Sequence, residues 1–151
     1  MPLNSQERLL SRVVQAAEGA LADHSFVSAI DLLCGMGLLV PTYVEAWRKG
    51  RIDFLERTIQ GNLRKISSSM SMFHRWAKEK GLKPIETRYV QRTRTGVVDL
   101  QFSKSGDPEI EKNYRTHFVS PGLSEQKQKR LQEKLEQAPQ YLEHDRLRSL
   151  L

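Results

Sequence analysis

The sequence predicts a mainly α fold: a small helical domain around one long amphipathic helix, with one β-hairpin and a polar C-terminal helix. Three observations predict it. First, Ile52, Leu55, Ile59, Leu63, Ile66, Met70, Phe73 and Ala77 follow one another at steps of three or four. At 100° per residue they share a sector of about 80°, the stripe of an amphipathic helix. Second, from Glu86 the apolar period drops to two, the period of a strand. Third, residues 124–151 are rich in Glu, Lys and Gln and poor in apolar side chains. The expected division is therefore a domain over residues 1–123, with its hairpin at about 86–103, and a polar helix and tail over 124–151.

The elements follow in order. Asn4 or Ser5 can cap a first helix over about Gln6 to Asp23, whose apolar face is Leu9, Leu10, Val13, Val14, Ala17 and Leu21. Ser25 offers a cap for a short helix from Phe26 to Cys34, with Ile30, Leu33 and Cys34 inward and Gly35 and Gly37 as its stop. Pro41 suits the first turn of a third helix and Gly50 its end, with Val44 and Trp47 facing the core. These two helices have the outline of a helix-turn-helix. The N-terminal half of the second, Pro41-Thr42-Tyr43-Val44-Glu45, offers little to read a base edge, so an ordinary packing pair is the preferred reading.

The long helix runs from Ile52 to Lys80, about 40 Å at 1.5 Å per residue. Gly61 and Ser67-Ser68-Ser69 are its weak points for a kink or a break. Gly81 and Pro84 end it. Thr87 to Thr93 and Val97 to Ser103 then read as two strands, with Arg94-Thr95-Gly96 as the turn and Val98, Leu100 and Phe102 on the buried face. Asp107 and Pro108 start a helix to about Thr116. Because Asp107 already serves the first amides and repels anions, that helix start is read as capped rather than as a phosphate site. Ser124 caps the last helix and Pro139 interrupts it; residues 140–151 read as a frayed tail or, alternatively, as a strip of Leu142, Leu147, Leu150 and Leu151 that docks on a partner chain.

Charge is the main functional signal. The chain of 151 residues has a net charge of +6, unevenly spread. Residues 1–40 carry two basic and four acidic side chains, whereas residues 41–104 carry fourteen basic and six acidic. No Asp or Glu lies between Arg57 and Lys78. A local cationic excess attracts polyanions. The candidate contacts are Arg57, Arg64, Lys65, Arg75 and Lys78 on the long helix, and Arg88, Arg92 and Arg94 on the hairpin. The leading expectation is thus non-catalytic binding of nucleic acid, either DNA or structured RNA. The alternative is a protein–protein adaptor or complex subunit whose basic face meets an acidic partner.

Chemistry is sparse. No phosphate-cradling glycine loop, nucleophile elbow or zinc-binding His-Glu-x-x-His occurs, and no cofactor or metal is expected. The lone Cys34 excludes an internal disulfide framework. His24, His74, His117 and His144 are far apart in sequence. A third, enzymatic reading would use Tyr114, Arg115 and His117 with Asp107 or Glu111; a helix end anchored by hydrogen bonds explains the same cluster. Residues Met1 to Glu7 carry no basic-then-apolar leader, and no apolar run approaches the roughly 20 residues of a membrane span. The expected location is cytoplasmic, without membrane partners.

The segments Trp47-Arg48-Lys49-Gly50-Arg51, Phe54-Leu55-Glu56-Arg57, Phe102 to Pro108 and Tyr114 to Pro121 together resemble a set of small uncharacterised bacterial proteins, over about residues 26–127. The resemblance implies a bacterial-type cytosolic protein. It carries no established activity and transfers no site residue.

Overall fold

A computed structural model describes residues 3–121 of the chain. The polar helix and tail expected over 124–151 lie outside the described residues. Within them the fold is mixed α/β, not mainly α with one hairpin. Five α-helices combine with five strands in two antiparallel sheets.

Helix α1 (Ser5–His24) starts from Asn4, whose side chain accepts from the Glu7 amide while Glu7 returns a bond to the Asn4 amide. This reciprocal pair satisfies two amides that the helix cannot. Ser25 does not cap the next helix as expected. It ends α1 in the left-handed region, at φ 66°. The chain then makes a two-residue strand, β1 (Phe26–Val27), before Ser28 caps α2 (Ala29–Gly35). The second helix therefore starts three residues later than expected. Ala29, Leu32 and Leu33 are its fully buried residues; of those expected inward, Leu33 is buried, while Ile30 and Cys34 are only partly so. Helix α3 (Pro41–Arg48) follows with Val44 and Trp47 inward.

The continuous helix from Ile52 to Lys80 is not present. Leu55–Thr58 is a single 3-10 turn, and α4 (Leu63–Glu79) starts only at Leu63. Gly61 breaks the element: it sits at φ 103°, a conformation costly for any residue with a Cβ. Asn62 then restarts the helix by accepting the Lys65 amide at 2.8 Å. The serine run does not break α4, because Ser69 turns its hydroxyl back onto the Lys65 carbonyl at 2.8 Å. Ile66, Met70, Phe73 and Ala77 are buried, as are Leu55 and Ile59 from the separate turn. Leu63 departs from the stripe and is 64% exposed, since it is now the first residue of a helix rather than the middle of one.

The strands account for the change of class. The first sheet has the order β1-β5-β2, with β2 (Lys83–Glu86) and β5 (Thr116–Val119) paired from Lys83↔Val119 to Glu86↔Thr116. Pro84, expected as a terminator, lies inside β2. It is tolerated because β2 is an edge strand. β5 is central and buried along its whole length, so its residues show no alternation. The second sheet is the expected hairpin, β3 (Val90–Thr93) and β4 (Gly96–Asp99), shorter than the 86–103 span. Leu100 and Phe102 are buried beyond its end, but Val98 is 52% exposed rather than inward. Helix α5 (Pro108–Arg115) connects back to β5, with Asp107 accepting from the Glu109 and Ile110 amides.

The core sits where these layers meet. Trp47, Phe102 and Tyr89 contact one another, and Phe73 meets Phe118 edge to face at 5.2 Å. The Trp47 indole N–H donates to the Gln101 carbonyl at 2.8 Å, tying α3 to the segment after the hairpin.

Candidate nucleic-acid interface

The local chemistry differs among the eight candidate cations. Arg57 is paired with Asp53 at 2.8 Å and lies over the Phe54 ring. Arg75 lines a groove that also contains Glu7 and Glu79. Arg88 is paired with Asp99 at 2.6 Å, in a depression shared with Glu86 and Arg115. Lys78 is exposed in the last turn of α4, and Arg92 and Arg94 are exposed on the hairpin. A paired or acid-flanked cation has part of its field cancelled before any ligand arrives.

Arg64 and Lys65 are placed differently. They line a groove of about 440 Å³ between the first turns of α1 and α4. The other walls are Ser5, Gln6, Arg8, Leu9, Arg12, Asn62 and Ser68. Four cations thus converge on one concavity whose lining, among the described residues, holds hydroxyl and amide groups and no carboxylate. Arg8, Arg64 and Lys65 make no ion pair among the described residues. Arg12 is held in place instead: its guanidinium donates to the Met36 carbonyl at 2.6 Å, just past the end of α2. Helix α4 begins at this groove with no acid in its first turn, so its positive end adds to the side-chain charge.

Arg8 and Arg12 were not among the candidates, because they belong to the segment of net −2. A signal was available. Ser5, Arg8 and Arg12 lie at steps of three and four, which puts them on one strip of α1. Summing charge over a segment hides such a strip.

The Tyr114–His117 cluster is divided by the fold. The Tyr114 hydroxyl donates to Glu56 Oε2 at 2.7 Å, and burial, with that carboxylate beside it, raises its pKa far above the usual tyrosine range. Arg115 pairs with Glu86 at 2.8 Å. His117 points elsewhere, onto the Tyr89 hydroxyl, at 2.6 Å from Nε2. Burial pushes His117 down to about 4, so its imidazole is neutral at pH 7. Burial likewise raises Tyr89 well above the ordinary phenol value. Glu111 accepts from the Phe102 and Ser103 amides at 2.9 and 2.7 Å and from the Ser103 hydroxyl at 2.6 Å. Each proposed catalytic group therefore has a partner that fixes the fold, and Tyr114 and His117 face different neighbours.

A larger groove of about 660 Å³ lies between α4 and α5, over Ile66, Met70 and Tyr114, with Leu63 and Ile110 among its lining. Among the described residues Lys104 is the only cation that lines it. Among the described residues no group of three or more His, Cys, Asp or Glu side chains is placed to hold a metal ion. No helix among them is long and apolar enough to cross a membrane. Comparison with family models, curated proteins and solved structures finds no match to this chain.

Proposed function

We propose that this chain is a non-catalytic nucleic-acid-binding protein that holds the phosphate backbone in the groove between α1 and α4. The observation that carries the reading is the convergence of Arg8, Arg12, Arg64 and Lys65 on a concavity lined by no carboxylate. Guanidinium groups suit phosphate because their fork of N–H donors matches two oxygens. Ser5, Asn62 and Ser68 supply neutral hydrogen-bonding groups beside them. No aromatic side chain lines the groove, so the contacts expected are to the backbone and not to stacked bases. The same reading makes it a bacterial-type cytoplasmic protein, the expected home of such a ligand.

The test is a salt titration. Each phosphate contact contributes about −0.9 to the log–log slope of affinity against salt on duplex DNA, and about −0.7 on single strands. Arg8→Gln with Arg64→Gln should flatten the duplex slope by about 1.8. Both side chains are exposed, so the melting temperature should barely move. If duplex DNA, single-stranded DNA and structured RNA all bind more weakly than about 10⁻⁴ M near physiological salt, the proposal is wrong. An acidic protein partner would then be the reading to pursue.

A further inference from the structure

We infer that the β3–β4 hairpin enters the major groove of B-form duplex DNA, with Arg94 at its tip and Arg51 at its base set against phosphates. The inference rests on the nucleic-acid reading of the α1–α4 groove but concerns a different surface.

The hairpin is anchored at one end only. At its base Val90 is buried, the Leu100 amide donates to the Tyr89 carbonyl at 2.9 Å, and Arg88 is paired with Asp99. Towards the tip β4 is exposed along its whole length. Val97 is 41% exposed and Val98 is 52% exposed. Adjacent strand residues point to opposite faces, so both faces of the ribbon are wet. An antiparallel sheet laid on a core buries one face, and a bare two-stranded ribbon is marginal in water. This ribbon therefore has apolar surface on both sides that the other described residues leave uncovered.

Its charge selects the occupant. Between Arg88 and Asp99 the only carboxylate is Asp99, engaged by Arg88, and Arg94 is exposed at the turn. The end of α3 adds more cations. Gln91 donates to the Lys49 carbonyl at 3.0 Å, and a Cβ on Gly50 would strike the Gln91 side chain. These contacts bring the segment holding Lys49 and Arg51 against the ribbon.

Dimensions select the form of nucleic acid. Paired strands lie about 4.8 Å apart, and the B-DNA major groove, about 12 Å wide, admits a two-stranded ribbon. There an exposed valine can meet a thymine methyl group on the groove floor, while Arg94 and Arg51 reach phosphates at its rim. The major groove of A-form RNA is too deep and narrow for side chains to read, and a single strand has no groove.

The experiment measures binding of the full chain to a labelled DNA duplex, an RNA duplex of the same sequence and one DNA strand, over a range of salt. Arg51→Gln with Arg94→Gln should flatten the slope on duplex DNA by about 1.8 and leave the slopes on the other two ligands at the wild-type value. Val97→Ser with Val98→Ser should weaken duplex DNA binding several-fold without changing its slope. Unchanged far-ultraviolet dichroism checks that both variants fold. Equal effects on all three ligands, or none on duplex DNA, overturn the inference. If the Arg8 and Arg64 variant flattens the slopes while the hairpin variants do not, the α1–α4 reading stands and the hairpin inference falls. If the wild-type chain binds none of the three, both fall together.

Discussion

The α1–α4 groove and the interior around Tyr89 and His117 are both dense in polar side chains, but their physics is opposite. In the interior the named groups are desolvated and hydrogen-bonded, with His117 Nδ1 the exception, buried without a partner. The Tyr89 hydroxyl meets His117, and the Glu111 carboxylate takes three donors. Such groups are kept neutral or saturated by burial, and they act on stability. In the groove the cations remain largely wet, and none of the four makes an ion pair among the described residues. They contribute little to the fold and keep their field for a ligand. Polar density alone does not mark a functional site; unspent charge facing solvent is the better indicator here.

The comparison is broken most easily at Glu111. Replacing it with alanine orphans two buried amides and a hydroxyl, at about 1–3 kcal/mol for each. A loss of about 3–5 kcal/mol in urea unfolding is expected, with nucleic-acid affinity unchanged below the transition. A loss under about 1 kcal/mol would show that the interior clamp is dispensable.

A pH series tests the same interior through His117. Its folded pKa of about 4 lies below the ordinary histidine value of 6.5, chiefly through burial, with Asp31 opposing and Arg48 and His24 assisting. Between those values the unfolded chain binds more protons than the folded one, so stability rises with pH. The contribution is fully present above about pH 6.5 and is lost as pH falls towards 4, by roughly 3 kcal/mol at most. His117→Asn should remove that dependence. If the variant and wild type lose stability in parallel over this window, His117 is not the group responsible.

The smallest effects sharpen the other side. Arg64→Gln alone should flatten the duplex salt slope by about 0.9. Arg57→Gln and Arg75→Gln should each change it by less, because Asp53, Glu7 and Glu79 already screen those positions. Three equal effects would restore the single basic face that the sequence suggested.

The sequence made α1, α3, α5 and the tip of the hairpin legible because each carries a local signal: Asn4, Pro41, Asp107-Pro108, and Arg94-Thr95-Gly96. It also named Gly61 as the weak point of the long stripe, although the eight-residue period outvoted that glycine. The first sheet was illegible for a physical reason. β1 has two residues, and β2 and β5 have four each, too few for a period to show. Their partners are distant in sequence, as in Phe26↔Val119. Ser25 and Ser28 compete as caps, and Asp31, three residues after Ser28, decides in favour of Ser28. Of the candidate site, Arg64 and Lys65 were readable on their own helix. Arg8 and Arg12 join them only through the packing of α1 on α4.

The central position of β5 also sets an order of events during synthesis. β1 and β2 both wait for residues 116–119 before they have a partner between them. At ribosomal rates of about 5–20 residues per second, the roughly 90 residues separating β1 from β5 take about 5–20 s to make. Helices α1 and α4, with the cationic groove between them, are fully synthesised about 40 residues earlier. A nascent chain thus holds both helices of its cationic groove before the strand that closes its sheet exists.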